Sequence, residues 1–268
     1  MSDLRYRVVG EGPSVLLIHG GGVDGEMWPV AEIDGLARSC RVIAYNRRGY
    51  PGSGEPVRDW VRHREDAAAL LGELDAAPAT VVGFSAGGIV ALDLAVHHPE
   101  LVGALVLIDP AVYGRRHTTP NLAWMFVSAQ LARRLRGAER GAEIFGRWAT
   151  SYSTGGSAWD REDFPEERRE AMRRNARALF ADLASGDGSH IPRDRVREID
   201  FPVTLALTEL SPSWLHRTAQ GLRGILPPHH RFETIRGAGH ALTFDRPGEL
   251  ERVIREASPA GAAPATTR

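Results

Sequence analysis

Gly83-Phe84-Ser85-Ala86-Gly87 sets a serine between two glycines, directly after the apolar run Val81-Val82 and before a helical pattern in which Ile89, Val90, Leu92 and Leu94 are apolar. A strand that turns sharply into a helix holds the residue at its tip in a crowded backbone conformation. Larger side chains two residues to either side would clash, so Gly-x-Ser-x-Gly is the spacing such a turn requires. The free N–H groups and positive dipole end of the following helix face back toward Ser85, where they stabilise negative charge. The chemistry this suits is nucleophilic attack on a carbonyl. A hydroxyl is a poor nucleophile until a base takes its proton, which calls for a histidine from elsewhere in the chain. Of the ten histidines, His240 is the best placed, on the glycine-loosened loop Gly237-Ala238-Gly239-His240 just past the last strand-like run. Loops at the C-terminal ends of parallel strands converge on one rim, so this loop can reach Ser85. Donors for the developing oxyanion are expected from the backbone N–H of Ala86 and from the Gly20-Gly21-Gly22 loop, with Gly21 favoured and Gly22 next. His19 is read as a hydrogen-bonder that shapes this loop, with no part in proton transfer.

The elements that must position these groups follow from the pattern of apolar runs. Leu4–Val9 alternates like a strand, and Ser14–Ile18 and Arg41–Tyr45 are continuous apolar runs of the buried, parallel-sheet kind. Helices are expected over Glu26–Ala37, Asp59–Leu74 and Ala86–Val96, and a further strand over Ala104–Ile108, closing on Asp109-Pro110. After a long interruption, strands return at Pro202–Leu207 and Arg231–Ile235, with helices at Ser213–Leu226 and Pro247–Ala257, the last with Asp245 as a candidate cap. Strands alternating with helices predict a mostly parallel central sheet with helices on both faces.

From residue 111 to residue 200 strand-like runs vanish, and arginine-rich helical patterns studded with aromatics replace them. The domain reading is therefore a core formed by 1–110 and 201–257, an inserted helical cap over 111–200, and a disordered tail over 258–268. The aromatics of the insertion are read chiefly as its own core and its seam with the sheet. Trp124, Trp148 and Tyr152, together with Trp28 of the core, are the candidates for substrate contact. Ser153-Thr154-Gly155-Gly156-Ser157 reads as a flexible break within the cap.

Composition narrows the function classes. A net charge of −1 over 268 residues argues against a nucleic acid or an anionic membrane held by bulk electrostatics. All 33 Lys+Arg residues are arginine, which excludes a lysine Schiff base and with it conventional pyridoxal-phosphate or class I aldolase chemistry. The lone cysteine, Cys40, is expected as a buried structural thiol. No apolar run reaches the length of a membrane span and the N-terminus lacks a signal-peptide core, so a cytoplasmic protein is expected. No histidine pair has metal-ligand spacing beside a carboxylate, and neither metal nor cofactor is expected. Gly20-x-Gly22-x-x-Gly25 formally matches a dinucleotide fingerprint, but the next strand ends in Asn46 where an acid is needed.

Leu16-Leu17-Ile18-His19-Gly20-Gly21-Gly22, Arg48-Gly49-Tyr50-Pro51-Gly52-Ser53, Val82-Gly83-Phe84-Ser85-Ala86-Gly87-Gly88 and Gly237-Ala238-Gly239-His240, in that order, make the chain resemble the α/β-hydrolase superfamily, in its serine esterase-like branch, over Leu4 to Ala257. The resemblance implies an α/β-hydrolase fold with nucleophile elbow, oxyanion hole and catalytic triad. Two departures stand out. Asn46 replaces the aspartate of the usual Asp-x-Arg-Gly segment. After the family's seventh strand, where a Gly-x-x-Asp turn usually supplies the triad acid, the chain reads Thr208-Glu209-Leu210-Ser211, with Ser211 in the acid's place. Some members take the acid from the end of the sixth strand, which makes Asp109 the first candidate and Glu209 the alternative. The function expected is a serine hydrolase acting through an acyl-enzyme on a small, mostly apolar ester, lactone or thioester. The alternatives are non-hydrolytic lyase, isomerase, cyclase or acyl-transfer chemistry on a natural-product-like substrate, and a catalytically silent ligand-binding protein. The partner in each case is a small molecule.

Overall fold

The structure, a computed structural model, describes residues 3–113 and 120–258. Seven strands form one sheet: β1 (Tyr6–Val9), β2 (Ser14–Ile18), β3 (Arg41–Tyr45), β4 (Ala79–Phe84), β5 (Val102–Ile108), β6 (Val203–Thr208) and β7 (Arg231–Ile235), in the order β1-β3-β2-β4-β5-β6-β7. Only β1 runs antiparallel to its neighbour, pairing Tyr6 with Tyr45 and Val9 with Val42. The predicted strands are all present. β5 begins two residues earlier than its apolar run suggests.

Alternation along each strand divides the sheet's side chains between two cores. Leu16, Ile18, Ile43, Val81, Leu105 and Leu107 pack on one face with α2 (Trp60–Glu73) and α3 (Gly87–His97). Val15, Leu17, Val42, Val82, Val106 and Ile108 pack on the other with α1 (Val30–Ala37) and α11 (Pro247–Ala257). Burial on both faces explains why these strands read as unbroken apolar runs. Each fully buried Leu or Ile contributes roughly 1.5–3 kcal/mol relative to exposure. The run from Glu26 is divided by Pro29, so that a single 3-10 turn over Gly25–Met27 precedes α1.

Among the described residues between β5 and β6 lie five α-helices: α4 (Pro120–Arg136), α5 (Ala138–Ala149), α6 (Glu166–Arg174), α7 (Ala176–Ser185) and α8 (Arg193–Arg197). They carry small apolar clusters of their own, such as Ala142, Met172, Ala176 and Leu179. The stretch 153–157 falls in the turn after α5, closed by a bridge between Ser151 and Ser157. The chain continues through α9 (Ser213–Arg223) and α10 (Leu242–Asp245). Asp245 does not cap α11, because its carboxylate accepts the Tyr152 hydroxyl at 2.8 Å and the Gly239 N–H at 2.9 Å. Of the tail expected over 258–268, Ser258 is instead buried and donates its hydroxyl to the Ile254 carbonyl at 2.8 Å, so the ordered chain includes it; 259–268, and residues 114–119 at the start of the expected cap, lie outside the described residues. No helix of the described residues is long and apolar enough to cross a membrane.

Candidate active site

Ser85 sits at the bend between β4 and α3 with φ at 53°, in the left-handed region that side chains rarely adopt. The flanking glycines permit this bend. A Cβ on Gly83 would lie 2.6 Å from the Gly87 carbonyl oxygen, and one on Gly87 would collide with the carbonyl of Ile18. The Ser85 N–H donates to the Ile108 carbonyl, and the Ser85 carbonyl accepts from Gly88 and Ala111, so the strained residue is held from both sides at 3.0 Å.

The structure brings His240 and Asp109 to this serine. His240 Nε2 lies 3.0 Å from Ser85 Oγ, and His240 Nδ1 lies 3.1 Å from Asp109 Oδ2. Phe84 stacks on the imidazole with centroids 4.9 Å apart. Asp109, itself at φ 43°, is wholly buried at the end of β5. Its Oδ1 accepts the Thr208 N–H at 2.8 Å, and its Oδ2 accepts the hydroxyls of Thr208 and Ser211, each at 2.6 Å. Burial pushes the Asp109 carboxyl up, but the hydrogen bond and charge of His240, reinforced by Ser211 and Thr208, outweigh it and hold the group below the usual carboxylate range. An ionised carboxylate only accepts. Nδ1 of His240 therefore carries the proton, and Nε2 is left as a base facing the serine hydroxyl.

Ser211, at the position where the resemblance leads one to expect the acid, belongs to the same network and donates to the Asp109 carboxylate at the end of β5. Glu209, the alternative acid, is corrected by the structure: its side chain points to the surface and accepts the Gly237 N–H at 2.8 Å, bracing the turn before His240.

Of the expected oxyanion donors, the N–H groups of Ala86 and Gly21 make no hydrogen bond to another described residue, and both residues line the cavity above Ser85. Gly22 does not serve, since its N–H donates to the Tyr50 hydroxyl at 3.0 Å. That bond belongs to a buried network that fixes the glycine loop. Arg47 donates to the His19 carbonyl and the Gly20 carbonyl, each at 3.1 Å, and pairs with Asp182 of α7 at 2.7 Å. Tyr50 donates to the same carboxylate at 2.6 Å. His19 is buried and accepts the Arg47 N–H on Nε2 at 2.9 Å while its Nδ1 bonds the Gly20 carbonyl at 2.8 Å. Burial, and then the charge of Arg47, lowers the His19 pKa to about 3, so it stays neutral and shapes the loop. Arg47 and Asp182 were not singled out from sequence as partners. Asn46 takes a purely structural part, accepting the Gly25 N–H and donating to the Pro51 carbonyl, both at 2.7 Å.

A cavity of about 400 Å³ lies between the sheet rim and the insertion, with Ser85 and His240 on its wall. Trp148 lines it, stacked on Trp214 at 5.4 Å, as do Phe145, Trp159 and Leu179. The other three aromatics expected at the substrate lie elsewhere. Trp28 is buried in the core beneath α1, and Trp124 is 72% exposed on the outer side of α4. Tyr152 packs on Gly239 and bonds Asp245, bracing the His240 loop from outside. Among the described residues, no group of three or more His, Cys, Asp or Glu side chains is placed to hold a metal.

A serine on a strained strand-to-helix bend, an imidazole from the last βα loop and an acid from a neighbouring strand end, on a sheet of this order, define the class. The chain belongs to the alpha/beta hydrolase family, whose model matches residues 15–253. It is 33% identical over 120 residues to the uncharacterized hydrolase YraK of Bacillus subtilis, covering 43% of this chain and 44% of that protein. It is 37% identical over 111 residues to the pimeloyl-[acyl-carrier protein] methyl ester esterase of Vibrio atlanticus, covering 40% and 41%. The chain thus matches less than half the length of these curated relatives. Among solved structures, a thermophilic esterase from Thermogutta terrifontis, malate bound, shares the fold with a TM-score of 0.77 at 24% identity, covering 94% of this chain and 92% of that one.

Proposed function

We propose that the protein is a serine hydrolase that cleaves a small, mostly apolar ester, lactone or thioester through an acyl-enzyme. The observation that carries this reading is the unbroken line from Ser85 Oγ through the imidazole of His240 to Asp109, with contacts of 3.0 and 3.1 Å. Ser85 Oγ attacks the carbonyl carbon as its proton passes to His240 Nε2. The charge moves to the carbonyl oxygen, where the N–H groups of Ala86 and Gly21 receive it. Collapse of this intermediate expels the alcohol or thiol, which takes the proton from His240, and leaves the acyl group on Ser85. Water then attacks under the same base, releases the acid and restores the hydroxyl. Asp109 orients the ring and favours the imidazolium without itself taking a proton.

An esterase stands among the curated relatives, and the largely apolar cavity wall suits a mostly apolar acyl chain. The rival readings, non-hydrolytic lyase, isomerase, cyclase or acyl-transfer chemistry on the same fold, are motivated by the irregular acid position; the carboxylate on His240 supports nucleophilic catalysis by Ser85, and hydrolysis as against acyl transfer is decided by whether water or another acceptor takes the acyl group. The expected result is hydrolysis of short p-nitrophenyl esters and covalent labelling by a fluorophosphonate, both lost in Ser85→Ala. Turnover undiminished in that variant would overturn the assignment.

A further inference from the structure

Arg168 stands on α6 and lines the same cavity as Ser85 and His240. Its guanidinium donates to the Thr243 hydroxyl at 2.5 Å and to the Thr243 carbonyl at 3.0 Å, and its other N–H groups have no acceptor among the described residues. The neighbours on α6 are all paired: Arg169 with Glu166 at 3.1 Å, Arg173 with Glu143 at 2.7 Å, and Arg174 with Asp24 at 2.9 Å. Arg168, largely enclosed at the cavity wall, forms no ion pair among the described residues. Burial pushes its pKa below the ordinary guanidinium value, opposed only by the field of Asp245, whose oxygens are already taken by Tyr152 and Gly239.

An enclosed cation is costly unless an anion accompanies it. The cavity's own carboxylates do not fill that role. Asp182 is committed to Arg47 and Tyr50, and Asp187 belongs to the segment that meets Trp60, through the bond from Trp60 Nε1 to the Gly186 carbonyl. A guanidinium fork held at one side by Thr243 is suited to a planar carboxylate, which it can bind through two parallel N–H bonds. We propose that Arg168 is the anion anchor of this cavity and that the substrate carries an ionised carboxylate in addition to its scissile bond, as in a monoester of a small dicarboxylic acid or a carboxylate-bearing lactone. The substrate class named here rests on the hydrolytic reading, whereas the anchor itself can be tested without turnover.

Ser85→Ala protein should bind monomethyl adipate at least about tenfold more tightly than methyl hexanoate by calorimetry, the charged pair accounting for the difference. Adding Arg168→Gln should bring that ratio close to one, and Arg168→Lys, which keeps the charge but not the fork, should restore part of it. With Ser85 present, the ratio of kcat/KM for p-nitrophenyl hydrogen adipate over p-nitrophenyl hexanoate should follow the same order. If Arg168 only ties α6 to Thr243, its variants lower the Tm and leave both ratios where they were, which overturns the proposal. Absence of any preference for the charged ester in the unsubstituted cavity would overturn it as well. Preferential binding without hydrolysis by the Ser85 enzyme would keep the anchor and defeat the hydrolase reading. Hydrolysis of both esters at equal efficiency would do the reverse. Should Arg168→Gln fail to fold, the Arg168→Lys ratio decides alone.

Discussion

Asp109 at the sheet rim and Asp182 in the insertion are both buried, and both are held ionised, but by opposite means. Around Asp109 the donors are neutral: two hydroxyls and a backbone N–H, with the imidazole of His240 as the one group able to become a cation. Asp182 faces a permanent cation, Arg47, and a phenol, with the buried imidazole of His63 at 3.5 Å on its other oxygen. Its charge is already neutralised. The difference assigns their work. The charge of Asp109 is available to stabilise an imidazolium that forms only during reaction, whereas that of Asp182 is spent on fixing the loop from His19 to Gly22.

Removing each charge should therefore damage different properties. Asp109→Asn keeps the shape but accepts poorly from Nδ1–H, which lets the wrong imidazole tautomer face Ser85. A fall in kcat of about 10³- to 10⁴-fold is expected, with a Tm close to that of the parent. Steady-state kinetics and a melting curve check both halves. Glu209→Gln, by contrast, should keep nearly all activity, because the Glu209 carboxylate accepts the Gly237 N–H, a bond that the glutamine carbonyl can also accept, and does not reach His240.

Asp182→Asn should reverse the balance, with stability as the main casualty. It leaves the Arg47 guanidinium buried without its counter-ion, at a cost of about 3–5 kcal/mol in denaturant unfolding. Arg47→Met with Asp182→Leu should regain much of that stability while kcat stays low, since the carbonyls of His19 and Gly20 lose their donor. The pH dependence has a definite sign. Asp182 is held below the ordinary carboxylate value, its burial outweighed first by the charge of Arg47. Its contribution is thus fully present above the unfolded-chain value of about 4 and is lost as pH falls below it. The parent should lose stability over that acid range more steeply than Asp182→Asn. Equal slopes would mean that Asp182 contributes no ionised-state stability.

The same contrast explains what could be read from the chain alone. Ser85, His240 and Asp109 were legible because each lies at a strand end, where a short run of residues fixes both the element and the rim it faces. Asp182 was not, because its partner lies 135 positions earlier and nothing in the local pattern of α7 marks it. The aromatics misled for a related reason. A tryptophan beside a glycine loop or on an amphipathic helix has the same sequence signature whether it turns to a cavity, to a core as Trp28 does, or outward as Trp124 does. Arg168 was hidden among 33 basic residues, and what sets it apart is that it lines the cavity without an ion pair among the described residues.

The smallest expected effect bears on how the acid came to sit on β5. Ser211 gives Asp109 one of several hydrogen bonds, so Ser211→Ala should cost only about 1–1.5 kcal/mol of transition-state stabilisation, or about tenfold in kcat. Losing that donor raises the carboxyl toward its ordinary value, so less stability should be lost than in the parent as pH falls below the unfolded-chain value of about 4. Because Ser211 Oγ lies 2.6 Å from the Asp109 carboxylate, the two positions share one small polar pocket. Placing the acid on the other side of it, as Asp109→Asn with Ser211→Asp, should recover at least about tenfold of the activity lost in Asp109→Asn alone. Recovery would mean that His240 needs a charge in this pocket and not a particular strand to carry it. Failure, in a variant that folds, would mean that the left-handed turn at Asp109 supplies a geometry the β6 loop cannot.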